Sequence, residues 1–569
     1  MIRPNAWAAW GVVAAGLLLS SCSTSPARAA PPPPDSARES VPAEQAPQNV
    51  TAEQALKKGD CRTAAEDYAG AAAHGSAALA GRATQVALAC EDLPAAWSAA
   101  QRWHYLAPAD RNASIFYSTV ALKLYRIPEA RGALAPLLKE RPANDKADRE
   151  LAALVELLRR ETDANATFAA LDPSLDTHSA SALELSAFGQ LALDAYDFNR
   201  AEQRSHEALA RDANSAIAMS LLAQVRVARG DADGAIAAAR DVMRLDPNRG
   251  QFELAEILAA LDRTEEARQE LERLRTSGVP PAEVDRRLAL LAYQSGDMQE
   301  AKRRFIDLVH RGEANEAAVF FLAQIAERSG DAETALTEYR QLSDTDWALR
   351  ASVRAAGILL AGGKRGEALE LLDGYESEHP ESDFELTLAR AHLLGEHHDA
   401  DGGVSVLTTA LQRYPQHPTL EYERAVMLER AGRDHQAVEA LEQLLATRPE
   451  DPNLLNALGY TLADHGQTLS RAETLIRQAL RSTPDNPAVL DSLAWVRVRR
   501  GDPAGATPIL ERAYTISRDP EIAAHYGEAL WLAGNHARAR RVWAEALARD
   551  PDSDELKATL KRLLPPGHP

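Results

Sequence analysis

The stretch NALGYTLADHG, Asn456–Gly466, reads as helix, yet sets Gly459 between Leu458 and Tyr460. Inside a helix a glycine costs about 1 kcal/mol against alanine, so the position needs a reason. Counting along the chain supplies it. The same slot holds Ala494 and Gly527 further on, and Ala425, Ala391, Ala356, Ala323, Ala289, Ala255, Ala223 and Gly189 going back, in steps of 32 to 35 residues. Twelve or thirteen residues after each comes a second small residue, among them Ala201, Ala235, Ala267, Ala437, Ala472, Ala506 and Ala539. A glycine often stands between the two, as at Gly230, Gly432, Gly501 and Gly534, and a proline often closes the unit, as at Pro415, Pro449 and Pro484. Self-similarity at a period near 34 marks stacked helix–turn–helix units.

Two helices joined by a short turn pack antiparallel, and small side chains let them approach where they cross. Leu458, Leu462, Ile476, Leu493, Leu510, Tyr526, Leu530 and Trp543 recur at helical spacing and fill the space around the crossings. Gly459 is therefore a packing residue. The small–small–proline pattern closely resembles the tetratricopeptide repeat (TPR), which implies an all-α solenoid wound as a right-handed superhelix.

The register extends toward the N-terminus through Ala52 with Ala64, Thr84 with Ala96, and Ser118 with Ala130. The gap of 71 from Ser118 to Gly189 holds a degenerate repeat carrying Ala152 and Ala164, with an insertion near DPSLDTHSA. The expected layout is TPR-like repeats over 51–142, the degenerate unit over 143–180, repeats over 181–551, and a capping helix and tail over 552–569. That makes about fifteen helix pairs, with SDELKATLKRLL as the cap that an open-ended solenoid needs.

Residues 1–21 read as a signal peptide: Arg3, then the apolar run AWAAWGVVAAGLLL, too short to span a bilayer. The run ends in Leu19-Ser20-Ser21-Cys22, which resembles the bacterial lipobox and implies lipidation of Cys22; the alternative is ordinary cleavage after ARAA. Ser23 after the cysteine implies an outer-membrane location, facing the periplasm. Residues 22–50, with seven prolines from position 23 on, read as a disordered tether.

The formal net charge is −20, but residues 453–569 carry 15 basic and 14 acidic side chains, so the acidity lies in the middle of the chain. That balance argues against nucleic acid as a partner. No nucleophile motif, HExxH or phosphate loop is present: the glycines around Lys364 lack phosphate-loop spacing, and His397, His398 and Asp399 form no facial metal set. No catalytic residue, metal or cofactor is expected.

In the last hundred residues the NALGY–LAD and DSLAW helices, with the lipobox and the all-repeat body, resemble the lipoprotein adaptor of the bacterial carboxyl-terminal processing protease. The resemblance implies a non-catalytic scaffold that binds that protease and its peptidoglycan-hydrolase substrates. The alternative is a scaffold for pilus assembly or exopolysaccharide secretion. The expected protein-binding groove holds Tyr460, Trp495 and Trp531, flanked by Asn456, Asp464, Asp491, Arg499 and Glu528. Exposed aromatics with polar neighbours suit an interface; packing of those rings between repeats is the other reading. Cys61 and Cys90 fall at corners of the first two repeats, where an oxidising compartment allows a bridge; two buried thiols are the alternative.

Overall fold

The computed structural model describes residues 47–564 apart from 59, 140, 141, 143, 313, 314, 467 and 552. The signal segment, Cys22 and most of the tether lie outside the described residues. The first described helix, Pro47–Lys57, begins inside the last residues assigned to the tether.

Among the described residues every regular element is helical, and the helices fall into fifteen consecutive pairs followed by one more, Asp554–Leu563. The degenerate unit is a long helix, Asp145–Glu161, and a short one, Ala164–Leu171, closed by a 3-10 turn at Asp172–Ser174. Outside the degenerate unit the slot residues are buried: Ala52, Thr84, Ser118, Ala223, Ala289, Ala323, Ala356, Ala391, Ala425 and Ala494 are at 0% exposure, as are partners such as Ala64, Ala96, Ala201, Ala437 and Ala539. In the degenerate unit Ala152 and Ala164, expected in the slots, are only half-buried, and Ala166 and Ala170 are the fully buried small residues of the short helix. Polar slots are satisfied locally, with Thr84 Oγ1 donating to Ala80 O at 2.8 Å and Ser118 Oγ to Ser114 O at 2.7 Å. At Gly459 an added Cβ would lie 2.6 Å from Ile476 Cγ1, inside van der Waals contact. The glycine is there because the second helix of its own pair leaves no room.

The turn glycines earn their place by backbone conformation. Gly230, Gly296, Gly330, Gly363, Gly432, Gly466, Gly501 and Gly534 all have φ between 67° and 85°, the left-handed end of a first helix. At the same turn in other pairs the left-handed residue is Glu91, Tyr125, Tyr196, Asp262 or His398.

The chain divides into two compact units: of the described residues, 142–301 with 441–564, and 47–141 with 302–440. Within the first unit, the two segments meet at a regular register. Phe198 N–H donates to Asp485 Oδ2 at 2.9 Å, and Asp485 N–H to Tyr196 O at 2.9 Å. Arg549 pairs with Asp262 at 2.8 Å, and Ile516 packs against the cluster of Phe198 and Tyr196. A Cβ on Gly230 would come within 2.9 Å of Thr515 Cγ2. Phe198 and Asp485 are 287 residues apart, as are Asp262 and Arg549.

Within the second unit, Cys61 and Cys90 are joined, with S–S 2.04 Å and Cα–Cα 5.4 Å. The bridge ties the start of helix Cys61–Ala72 to the end of helix Ala77–Ala89. The residues next to it reach a distant turn: Arg62 Nη1 donates to Gln412 O at 3.4 Å, and Glu91 lies 3.4 Å from His417 Nε2 and 3.5 Å from Lys123 Nζ.

Candidate protein-binding groove

The predicted groove residues lie on the first helices of the last three pairs, Pro452–Asp464, Pro487–Arg499 and Pro520–Leu532. Each starts with proline in its first turn behind an Asp or Asn cap: Asp451, Asn486 and Asp519 accept from the first free N–H groups. The terminal helix Asp554–Leu563 packs against the third of these, so a fourth helix borders the same face.

Polar links between these helices repeat with the period of the sequence. Asp464 pairs with Arg499 at 3.2 Å, Asp491 with His525 at 2.8 Å, and Glu528 with Arg562 through two 2.6 Å bonds, at separations of 35, 34 and 34 residues. A carboxylate on one helix thus meets a base on the next, and charge-assisted pairing of this kind holds adjacent helices in register.

The rings divide differently from the expectation of an exposed aromatic face. Tyr460 and Trp495 are buried, at 6% and 8% exposure. Tyr460 Oη donates to Glu521 Oε1 at 3.2 Å. Trp495 stacks on His525 with centroids 4.3 Å apart, and its indole N–H donates to Asp464 Oδ1 at 3.2 Å. The position just after the small slot faces the neighbouring first helix, so a large ring there is covered. Trp531 is half-buried, but it stacks on His536 at 4.0 Å and lies under Arg540, on the second helix of its own pair. It lines neither cleft described below. Asp491 and Glu528 are also inside rather than flanking, each held by its base. Asn456, half-buried one turn before Tyr460, lines neither cleft.

Two clefts open on this face. One, of about 270 Å³, is lined by Tyr460, Glu521, His525, Glu555 and Thr559 with Ala524 and Ala558. The other, of about 510 Å³, is lined by Asp464, Trp495, Val498, Arg499, Glu528, Leu532 and Arg562. Burial works against a charged His525, but Asp491 beside it raises its pKa on balance. Burial, followed by the nearby Glu521 and Asp491 charges, pushes Asp519 up to about 6. Sequence reasoning placed Tyr460, Asp464, Trp495, Arg499 and Glu528 on the cleft walls. It missed Glu521, His525, Leu532, Glu555 and Arg562. His525 and Leu532 lie three and four residues from Glu528 on the same helix, and Glu521 lies seven from it; the last two sit on a helix read only as a cap.

The clefts bring together paired charges, buried rings and one exposed aliphatic, with no nucleophile activated by a base. They open on one face of a helix-pair solenoid. The chain belongs to the tetratricopeptide repeat proteins. Tetratricopeptide repeat models match residues 186–249, 221–279, 286–348, 388–452, 435–487 and 497–563, together more than half of the sequence. A TPR repeat-containing protein of Pseudomonas aeruginosa is 33% identical over 248 residues, 44% of this chain; the match spans 42% of that relative's length. Among solved structures, a thermophilic TPR protein of Thermus thermophilus aligns over 32% of this chain and 98% of its own, at 22% identity and TM-score 0.29. A tetratricopeptide repeat protein of Parabacteroides merdae aligns over 44% and 99%, at 16% identity and TM-score 0.33. The repeats imply protein partners and a role as an interaction scaffold.

Proposed function

We propose that the chain is a lipoprotein scaffold, anchored through Cys22 to the outer membrane and facing the periplasm. In this reading it binds a carboxyl-terminal processing protease together with that enzyme's peptidoglycan-hydrolase substrates and promotes their proteolysis. The observation that carries the reading is the C-terminal face. The NALGY–LAD and DSLAW segments, which resemble the protease's lipoprotein adaptor, supply Tyr460, Asp464 and Trp495 to the two clefts. A scaffold acts by raising local concentration: partners held on one tethered array meet at effective concentrations of about 1 mM. Two experiments test it. Adding the purified protein to protease and hydrolase should speed hydrolase degradation, and deleting the gene should let hydrolases accumulate. Unchanged degradation in the reconstituted assay, or loss of a pilus or of polysaccharide export in the deletion strain with hydrolase levels steady, overturns the reading. Cys22→Ala should move the protein from the membrane pellet to the soluble periplasm; retention in the pellet defeats the anchor.

A further inference from the structure

Outside the two clefts, the last two helix pairs hold a hydrogen bond that is not made. Tyr526, on helix Pro520–Leu532, is 2% exposed, and its hydroxyl is buried with no hydrogen-bond partner among the described residues. Buried hydroxyls are ordinarily paired, because an unpaired one loses its bonds to water and gains nothing in return.

Two further helices frame the ring. Tyr514, on helix Pro503–Ile516, packs with its centroid 5.9 Å away, and the Arg538 guanidinium, on helix His536–Arg549, lies 5.5 Å from the ring centroid. Arg538 also pairs with Glu511 across these two helices. The hydroxyl thus stands where the second helices of successive pairs meet.

Two more guanidinium groups act on that hydroxyl, those of Arg518 and Arg541. Arg518 lies over the Tyr514 ring at 4.5 Å, and Arg541 follows Arg538 by three residues, on the same face of its helix. Both are exposed, and neither makes an ion pair among the described residues; Glu545, one turn beyond Arg541, pairs with neither. Burial, then the Glu511 charge, raises the Tyr526 pKa against the three arginines, so the group is an O–H donor and not a phenolate.

A buried donor beside two unpaired cations lacks one thing, an anionic acceptor. Three donor groups and two positive charges match a phosphate monoester, which carries about −1.5 to −2 charges at pH 7 and three strong acceptor oxygens. A single carboxylate brings one charge and two oxygens, and leaves one guanidinium unmatched. The guanidinium fork also fits phosphate geometry, and stacking on Tyr514 holds Arg518 in place for it.

We propose that Tyr526, Arg518 and Arg541 form a binding site for a phosphate monoester dianion, which enters from the solvent side and accepts from the Tyr526 hydroxyl and both guanidinium groups. No residue of either cleft takes part, so the site goes beyond the scaffold reading and does not depend on it.

The test uses the full-length chain carrying Cys22→Ala. In isothermal titration calorimetry, inorganic phosphate should bind one per chain, and about tenfold or more tightly than acetate. The affinity should rise as pH passes upward through about 6, where phosphate loses its second proton, and should fall with added salt. Arg518→Gln, Arg541→Gln and Tyr526→Phe should each weaken binding about tenfold. Without phosphate, Tyr526→Phe should not lower the melting temperature, since the hydroxyl it removes bonds to nothing. Co-sedimentation with phosphatidylcholine vesicles, with and without phosphatidic acid, separates the sources of the group. Pelleting that needs phosphatidic acid and is lost in the variants supports the site with a lipid headgroup; phosphate binding without pelleting supports it with a soluble ester. No saturable phosphate binding, acetate bound as tightly as phosphate, or affinity that survives the three substitutions overturns the proposal. Because no protein partner enters the assay, such a failure leaves the scaffold reading standing.

Discussion

Asp485 grips the turn at Tyr196 from both of its polar ends: its N–H donates to Tyr196 O and its carboxylate accepts from Phe198 N–H, each at 2.9 Å. The same carboxylate pairs with Arg512. Asp485 is buried, so removing it leaves the Phe198 amide without its acceptor, a loss of about 1–3 kcal/mol. Asp485→Ala should lower the unfolding midpoint and speed exchange of the Phe198 amide. Asp262→Ala breaks a comparable long-range contact to Arg549, but that pair is exposed, and its loss should cost under about 1 kcal/mol. Equal effects from the two variants would contradict this account of the seam.

The bridge between Cys61 and Cys90 closes a loop of 29 residues at the start of the repeat array. Closing a loop of that length contributes about 3–4 kcal/mol through the unfolded chain. With Cys22 replaced, denatured but unreduced protein should show no free thiol. Reduction should loosen protease protection first over residues 61–91, where Arg62 and Glu91 meet the turn at 412–417. Two titratable thiols would refute the bridge.

Glu256 offers a pH test. Burial raises its pKa to about 7, although Arg287 opposes the shift. The folded value lies above the unfolded one, so the stabilising contribution is present below about pH 4.5 and is lost as pH rises through about 7. Glu256→Gln should therefore raise the melting temperature at pH 8, with the gain shrinking toward pH 5. Arg287 keeps Glu283 as a partner in the variant, at 3.0 Å. A gain that is the same at both pH values would argue against a titrating Glu256.

The two tryptophans of the C-terminal face should behave differently. Trp495 is buried, stacked and hydrogen-bonded, so Trp495→Ala should cost about 3–5 kcal/mol. Trp531, half-buried on its own pair, should cost less when truncated. Equal drops in melting temperature would show that the two sites are packed alike.

The repeat was legible because it rests on local chemistry repeated many times: a small residue at each crossing, a left-handed turn, a proline after it. Fifteen pairs and a terminal helix follow from counting alone. The seam in the first unit was not legible, since a contact across 287 residues leaves no periodic trace. A faint signal was there in the turns. Of the five turns where glycine is missing from the left-handed position, three, at Glu91, Tyr196 and Asp262, each reach a distant part of their own unit. The groove was half legible for a related reason. Spacing from the slot identified the right helices, but which side chain lies on a wall and which beneath it depends on the neighbouring helix, as the burial of Tyr460, Trp495 and Asp491 shows.

The slot glycines carry a sharper test. A Cβ on Gly527 would lie 2.0 Å from Trp543 Nε1, whereas one on Gly132, also within a helix, would meet nothing within 4 Å. Gly132→Ala should stabilise by up to about 1 kcal/mol, and Gly527→Ala should destabilise by more than that, since Trp543 is among the largest fully buried side chains. Stabilisation by both would refute the packing account of the slot.

The same size matching bears on the use of the repeats as building parts. Gly527 is cut to Trp543, Gly459 to Ile476 and Gly189 to Leu221, each glycine facing the bulk that its own surroundings supply. Repeats that look alike in a consensus are therefore not interchangeable. A chimera that carries the first helix of one pair onto the second helix of another would set alanine against tryptophan, or leave a void opposite glycine. Transplanting repeats into or out of this chain has to move each helix together with the partner that fills it.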